Sequence, residues 1–152
     1  MTSTPQRDPA TRKKDVLAAL ESQGQYWLAT SPINGRPHII AVSGWWDGDD
    51  ELVIATLGTS LTAKNMAMNP VVSLAHGSPA DAIVIQAQMI DSAPVEDAPH
   101  DLAEGFEKAM GWDPREMEGW MFFRLRPTGI KAFRGYDEIG GRDVMVRSRW
   151  VV

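Results

Sequence analysis

Alternating apolar and polar residues recur through the first half of the chain, and this period of two predicts β-strands. Two β-rich runs within 26–46 flank Asn34-Gly35, which is a strong hairpin signal. Shorter runs at 51–56 and 71–76 predict two more strands. In 81–91, Ile83, Ile85, Ala87 and Met89 fall on one face of a fifth strand and Val84, Gln86 and Gln88 on the other.

Helical spacing appears in only a few places. Residues 9–23 predict an N-terminal helix, residues 101–111 predict an amphipathic one, and a short helix should begin near position 60. Two further strands are predicted at 120–127 and 129–136, separated by Pro127-Thr128, whereas 136–152 has no clear pattern. Six or seven strands with short connections and no regular βαβ alternation predict a mainly β fold, closed into a small antiparallel barrel.

Composition limits the function classes that need attention. A chain of 152 residues, 43% hydrophobic and without cysteine, fits one folded domain in a reducing compartment. No signal peptide and no run near ~18 apolar residues is visible, so we expect a cytoplasmic protein that does not enter a membrane. The net charge of −5 argues against nucleic acid as a partner. Seven basic and three acidic residues in 124–149 leave room for a local anionic ligand.

The most unusual stretch is TLGTSLTAKNMAMNP at 56–70. It gathers Thr56, Thr59, Ser60 and Thr62 around Lys64 at the start of a predicted helix. Hydroxyl groups, unpaired first-turn amides and one ammonium together suit a phosphate group. The alternative is an ordinary helix N-cap followed by a solvent-exposed lysine. A P-loop is excluded because the second glycine before the lysine is missing.

Other candidate residues are more ambiguous. His38 shares one strand face with Arg36, Ile40 and Val42, and it is either a packed residue or part of a site. None of the three histidines has metal-ligand spacing, so no metal site is predicted. The six tryptophans either fill the core and an interface or provide a wall for an aromatic ligand.

Several of these segments occur together in a known family. The sequence GRPH, the turn and strand WDGDDELVIAT, the segment TSLTAKNMAMNPVVSLAHG and the strand from Asp81 resemble the pyridoxamine 5'-phosphate oxidase-like split-barrel superfamily. Within it they resemble the flavin/deazaflavin oxidoreductases, from about Tyr26 to Gln88. The resemblance implies a six-stranded antiparallel split β-barrel of Greek-key type. It also implies a homodimer with a flavin-type cofactor in each of two interface clefts.

The resemblance also implies roles for particular residues. The segment 59–65 would anchor the cofactor phosphate, Thr56 would lie near the ring or ribityl chain, and His38 would face the cleft. Gln86 is a further candidate. The implied cofactor-binding residues are thus His38, Thr56, Thr59, Ser60, Thr62, Lys64, Asn65 and Gln86.

We therefore expect one domain over 1–152, with a helix at about 9–23, a barrel at about 25–135 and a tail at 136–152. The expected function is that of an oxidoreductase that binds coenzyme F-420 or FMN and transfers hydride to or from a small organic substrate. No side chain is assigned as a catalytic acid or base. The alternative is a non-catalytic carrier of flavin or haem with the same fold. Vitamin B6 oxidation is not expected, because the additional arginines of pyridoxamine phosphate oxidase are missing.

Overall fold

A computed structural model describes residues 5–22 and 24–152, and its strands form one antiparallel sheet that closes on itself. Short 3-10 turns occur at Val95–Asp97, Pro114–Glu116 and Tyr136–Glu138. The longer elements are α1 (Pro9–Ser22), β1 (Gln25–Thr30), β2 (His38–Trp46), β3 (Leu52–Leu57), α2 (Leu61–Met68), β4 (Val71–Ser78), β5 (Asp81–Pro94), α3 (His100–Met110), β6 (Trp120–Phe133), β7 (Asp143–Val146) and β8 (Arg149–Trp150).

The barrel is built from six strands in the order β3-β2-β1-β4-β5-β6, and pairing of β3 with β6 closes it. The first three strands follow one another as antiparallel neighbours, and β4 then returns to lie beside β1. This is the Greek-key order. The predicted mainly β split barrel is confirmed.

Two helices close opposite ends of the barrel. The α2 helix lies where β1 ends and β4 begins, and it adds Ala63 and Met66 to the core. The α1 helix lies near the β4–β5 hairpin, and it adds Val16 and Leu20 to the same core. The predicted strand faces are also confirmed, because Ile83, Ile85 and Ala87 are buried whereas Gln86 and Gln88 are exposed.

The third helix packs on the outside of the barrel. Phe106 of α3 is fully buried against Phe122 of β6, with ring centroids 5.5 Å apart. Trp112 stands edge-on to Phe106, at a centroid distance of 5.4 Å. Gly105 of α3 faces the indole of Trp45 so closely that a β-carbon there would lie 2.7 Å from Cζ2. This second core holds α3 against β2, β3 and β6. None of the described helices is both long and apolar enough to cross a membrane.

One prediction about the last third of the chain is wrong, and a segment that the sequence left unassigned contains two strands. Residues 120–133 form the single strand β6 rather than two strands divided at Pro127-Thr128. Pro127 pairs with Ala87 beside a register shift that leaves Thr128 as an extra residue, and such an irregularity tolerates a proline that lacks an N–H donor. The unassigned tail contains β7 and β8, which extend the sheet beyond β6. The N-terminal helix ends at Ser22, and the predicted last residue, Gln23, lies outside the described residues.

A buried ionic cluster ties the tail to the N-terminal segment. The carboxylate of Glu138 accepts hydrogen bonds from Arg7 Nη2 at 2.6 Å, from the Arg7 backbone amide at 2.8 Å and from the Arg134 amide at 2.8 Å. Arg12 of α1 is 1% exposed and donates to the carbonyl oxygens of Ala132 and Glu138. The Arg7 guanidinium lowers the pKa of Glu138 to about 2. The cluster therefore joins the segment that begins α1 to the segment that follows β6.

Candidate functional site

The N-terminus of α2 is capped as the sequence predicts. Ser60 is the N-cap, its Oγ accepts a hydrogen bond from the Ala63 amide at 3.1 Å, and its carbonyl accepts one from the Lys64 amide. Among the described residues, the amides of Leu61 and Thr62 have no hydrogen-bond acceptor. These two N–H groups and the positive end of the helix dipole favour an anion at this position.

Lys64 and Thr59 are the side chains available to such an anion. Both are exposed, and Lys64 forms no ion pair with any residue that the structure describes. Lys64 lies one helical turn after Ser60, so its side chain reaches back towards the helix start. The free donors at this end of α2 are thus one ammonium, one hydroxyl and two amides.

Thr62 and Asn65 point in a different direction from Lys64. They are 1% and 3% exposed, and Asn65 Nδ2 donates to the hydroxyl of Thr30 at 3.2 Å. Both therefore lie on the side of α2 that packs against the barrel. Their evident role is to hold the helix in place, which positions Lys64 and the free amides.

Thr56 and His38 approach the same end of the barrel from two strands. Thr56 is half-buried near the end of β3, four residues before the N-cap. His38 begins β2 and pairs with Thr30, the residue whose hydroxyl is bonded to Asn65. Since directly opposed residues on neighbouring strands project to the same face, His38 lies on the same side of the sheet as Thr30, close to α2. Both candidates therefore lie at the end of the barrel that carries α2.

Gln86 is separate from this group. It is exposed on the outer surface of the barrel, and its Oε1 accepts a hydrogen bond from Ser73 Oγ at 2.8 Å. The neighbouring outward side chains are mostly small or apolar, and the set is called here the open face. It consists of Trp27, Ala29, Ile39, Ala41, Val71, Ser73, Ala75 and Gln86.

The open face exposes more apolar surface than scattered single residues do. Trp27, Ile39 and Val71 are 55%, 61% and 53% exposed. They lie on three adjacent strands, and the residues between them are alanine and serine, whose side chains are small. Contiguous patches of this kind mark interaction sites in soluble proteins.

Thr30 is a contact residue of α2 that the sequence did not indicate. It lies 35 residues before Asn65, and only the closure of the barrel brings the two side chains together. A threonine at the end of an alternating strand carries no local signal of such a contact. No group of three or more His, Asp or Glu side chains suited to a metal ion occurs within 5–22 and 24–152.

Comparisons with known proteins agree on the fold. A scan against protein-family models gives no match, and a search of curated proteins gives none. Among solved structures, an F420 reductase is 18% identical, with a TM-score of 0.62 over 74% of this chain and 93% of its own. A putative pyridoxamine 5'-phosphate oxidase from Listeria innocua is 15% identical, with a TM-score of 0.61 over 81% and 98%.

General stress protein 26 from Bacillus anthracis is 16% identical, with a TM-score of 0.59 over 80% of this chain and 92% of its own. These three structures match most of the barrel at low sequence identity. The chain therefore has the split-barrel fold of the pyridoxamine 5'-phosphate oxidase-like proteins.

Proposed function

We propose that the protein binds a flavin-type cofactor, coenzyme F-420 or FMN, and acts as an oxidoreductase on a small organic substrate. The observation that carries this proposal is the ammonium group of Lys64 beside the amides of Leu61 and Thr62, none of which has a partner among the described residues. They lie at the barrel end that also holds Thr56 and His38. The names of two structures with the same fold, an F420 reductase and a putative pyridoxamine 5'-phosphate oxidase, support a cofactor of this type.

In this proposal the residues of the chain bind and orient, while the bound cofactor supplies hydride transfer. Lys64, the Thr59 hydroxyl and the two amides hold the phosphate oxygens. Thr62 and Asn65 fix the helix that carries these donors, and Thr56 borders the rest of the cofactor. The donor set fits one phosphate group, since it supplies one full positive charge and three neutral donors.

The open face is proposed as the interface of a homodimer. A second copy of the chain would cover Trp27, Ile39 and Val71 together, since a two-fold interface buries the same patch on both subunits. Gln86 belongs to this face, so in the dimer it would lie within the interface cleft rather than beside Lys64 of its own chain. The cofactor cleft would thus be completed by the partner.

The test is a titration of the purified protein with coenzyme F-420 and with FMN, followed by quenching of tryptophan fluorescence. Binding of one of them in the micromolar range supports the proposal, and binding of neither contradicts it. Lys64→Ala should weaken binding by roughly 1.5–3 kcal/mol, because a charged hydrogen bond to phosphate is lost. Lys108→Ala is the matched control, since Lys108 is an exposed lysine on α3, and it should leave the affinity unchanged.

A second candidate is a carrier of haem, or of flavin without turnover. The observation in its favour is the half-buried His38 at the start of β2, whose imidazole makes no side-chain hydrogen bond within the described residues and would be available to bind iron. The absorption spectrum of the protein after addition of haemin separates the two candidates. A haem band that disappears in His38→Ala would favour the carrier, whereas an unchanged spectrum would leave the oxidoreductase.

A further inference from the structure

A cavity lies at the end of the barrel opposite α2, between α1 and the β4–β5 hairpin. Its volume is about 330 Å³, which is at the lower end of the range for small-molecule sites. Val16 and Ala19 of α1, Ile83 of β5 and Ala132 of β6 give it an apolar lining. No role in the proposed cofactor site accounts for this cavity.

Charged groups of both signs surround the apolar lining. Arg134 Nε is 3.3 Å from Asp81 Oδ1, and Arg134 Nη2 is 3.6 Å from Asp15 Oδ2. Within the described part of the chain, neither the Arg134 guanidinium nor the Asp81 carboxylate makes a side-chain hydrogen bond, so these contacts are charge pairs with donors and acceptors to spare. Arg7, by contrast, is fully engaged by Glu138 and Asp15.

The combination of charges selects the class of ligand. A simple anion in this cavity would approach Arg134 but would also face the carboxylates of Asp15 and Asp81. A simple cation would be attracted by Asp15 and Asp81 but repelled by Arg134 and Arg7. A zwitterion satisfies both signs, because each of its charges meets an opposite charge that has free hydrogen-bonding capacity.

We propose that this cavity binds a small α-amino acid with an apolar side chain. Its carboxylate would bind Arg134, its ammonium group would bind Asp81, and its side chain would contact Ala19 and Ile83. The site is separate from the proposed cofactor site, so either proposal stands or fails without the other.

The experiment is a titration of the full chain with L-leucine, followed by isothermal calorimetry. L-leucinamide lacks the carboxylate and 4-methylpentanoate lacks the ammonium group, so both should bind at least about tenfold more weakly than leucine. Equal binding of all three compounds, or no binding of leucine in the millimolar range, would overturn the proposal.

Two variants connect the binding to named side chains. Arg134→Gln and Asp81→Asn should each weaken leucine binding by about tenfold or more. Both side chains are substantially exposed, and thermal unfolding checks that the variants remain folded. Arg147→Gln removes an exposed arginine that does not line the cavity, and it should change nothing. A loss of binding in Arg147→Gln equal to that in Arg134→Gln would mean that leucine responds to net charge and not to this cavity.

Discussion

Glu138 is a side chain that contributes to the response of the protein to acid. Its carboxylate is 2% exposed and accepts several hydrogen bonds from Arg7, and these lower its pKa from 4.5 to about 2. A carboxylate with a lowered pKa stabilises the fold at every pH above its unfolded value. That stabilisation is lost as the pH falls from about 4.5 towards 2, and it amounts to about 3 kcal/mol.

The measurement is the free energy of unfolding in urea, determined at neutral pH and at several acidic values. Glu138→Gln has no titrating group at this position, so its stability should change less over the same acidic window. It should also be less stable than the unchanged protein at neutral pH, because Arg7 and Arg12 then lose their buried countercharge. Parallel pH profiles for the two proteins would contradict the role assigned to Glu138.

At the scale of elements, the docking of α3 depends on the absence of a side chain at Gly105. Alanine normally stabilises a helix interior by about 0.5–1 kcal/mol relative to glycine. Here the new β-carbon would lie 2.7 Å from Cζ2 and 2.9 Å from Cζ3 of Trp45. We therefore expect Gly105→Ala to destabilise the protein by about 1–3 kcal/mol, measured by urea unfolding. In a Trp45→Ala background the same change should be neutral or stabilising, and an equal loss in both backgrounds would exclude the clash.

The β7–β8 turn offers an opposite case, in which a substitution should increase stability. Arg147 and Ser148 have φ angles of 52° and 64°, which is left-handed backbone that glycine and asparagine adopt more readily. Replacing the pair by Asn-Gly should raise the free energy of unfolding by roughly 1–2 kcal/mol. The Ser148 amide donates to the Thr128 carbonyl at 2.8 Å, and this bond survives the change because it uses only the backbone. An unchanged melting temperature would mean that the turn is not strained.

The same elements show what the sequence predicts well and what it does not. Strict alternation in 81–91 predicted both faces of β5. The hydroxyl side chain of Ser60, placed just before a helical segment, predicted the N-cap of α2. The tail is left unassigned because Arg147-Ser148 contains neither the glycine nor the asparagine that usually marks a two-residue turn with left-handed backbone. Pro127 suggested a strand break, because a proline has no N–H group to donate within a sheet. The strand continues because a register shift against β5 accommodates this proline, and that shift is visible only in the folded sheet.

At the scale of the whole molecule, the contacts that shape the candidate site are those between distant parts of the chain. The sequence predicts Asn65 as a ligand-binding residue beside Lys64. In the structure Asn65 is buried, and its side chain donates a hydrogen bond to Thr30 of β1. The Arg7–Glu138 bond joins positions 131 residues apart, and no spacing rule indicates it. The local sequence pattern therefore predicts which helices and strands form and which residue types occur at the start of α2. It does not predict which side of an eight-residue helix faces the core.

The open face leads to a prediction about assembly. If the face joins two copies of the chain, a charge at its centre should separate them, because a carboxylate buried in an apolar interface loses its hydration. Ile39→Glu places that charge on a 61% exposed position of β2, where the monomer tolerates it. Sedimentation velocity should give a dimer for the unchanged protein and a monomer for Ile39→Glu. Ile139→Glu adds the same charge on the tail and should remain dimeric.

The dimer and the cofactor site should also be coupled. Because Gln86 lies on the open face and not beside Lys64, a cleft completed by the partner would lose contacts when the dimer separates. Ile39→Glu should therefore weaken binding of coenzyme F-420 or FMN although it leaves Lys64 and the start of α2 intact. The measurement is the tryptophan-quenching titration repeated on the monomeric variant. A monomer that binds the cofactor with full affinity would place the whole site within one chain and would remove Gln86 from it.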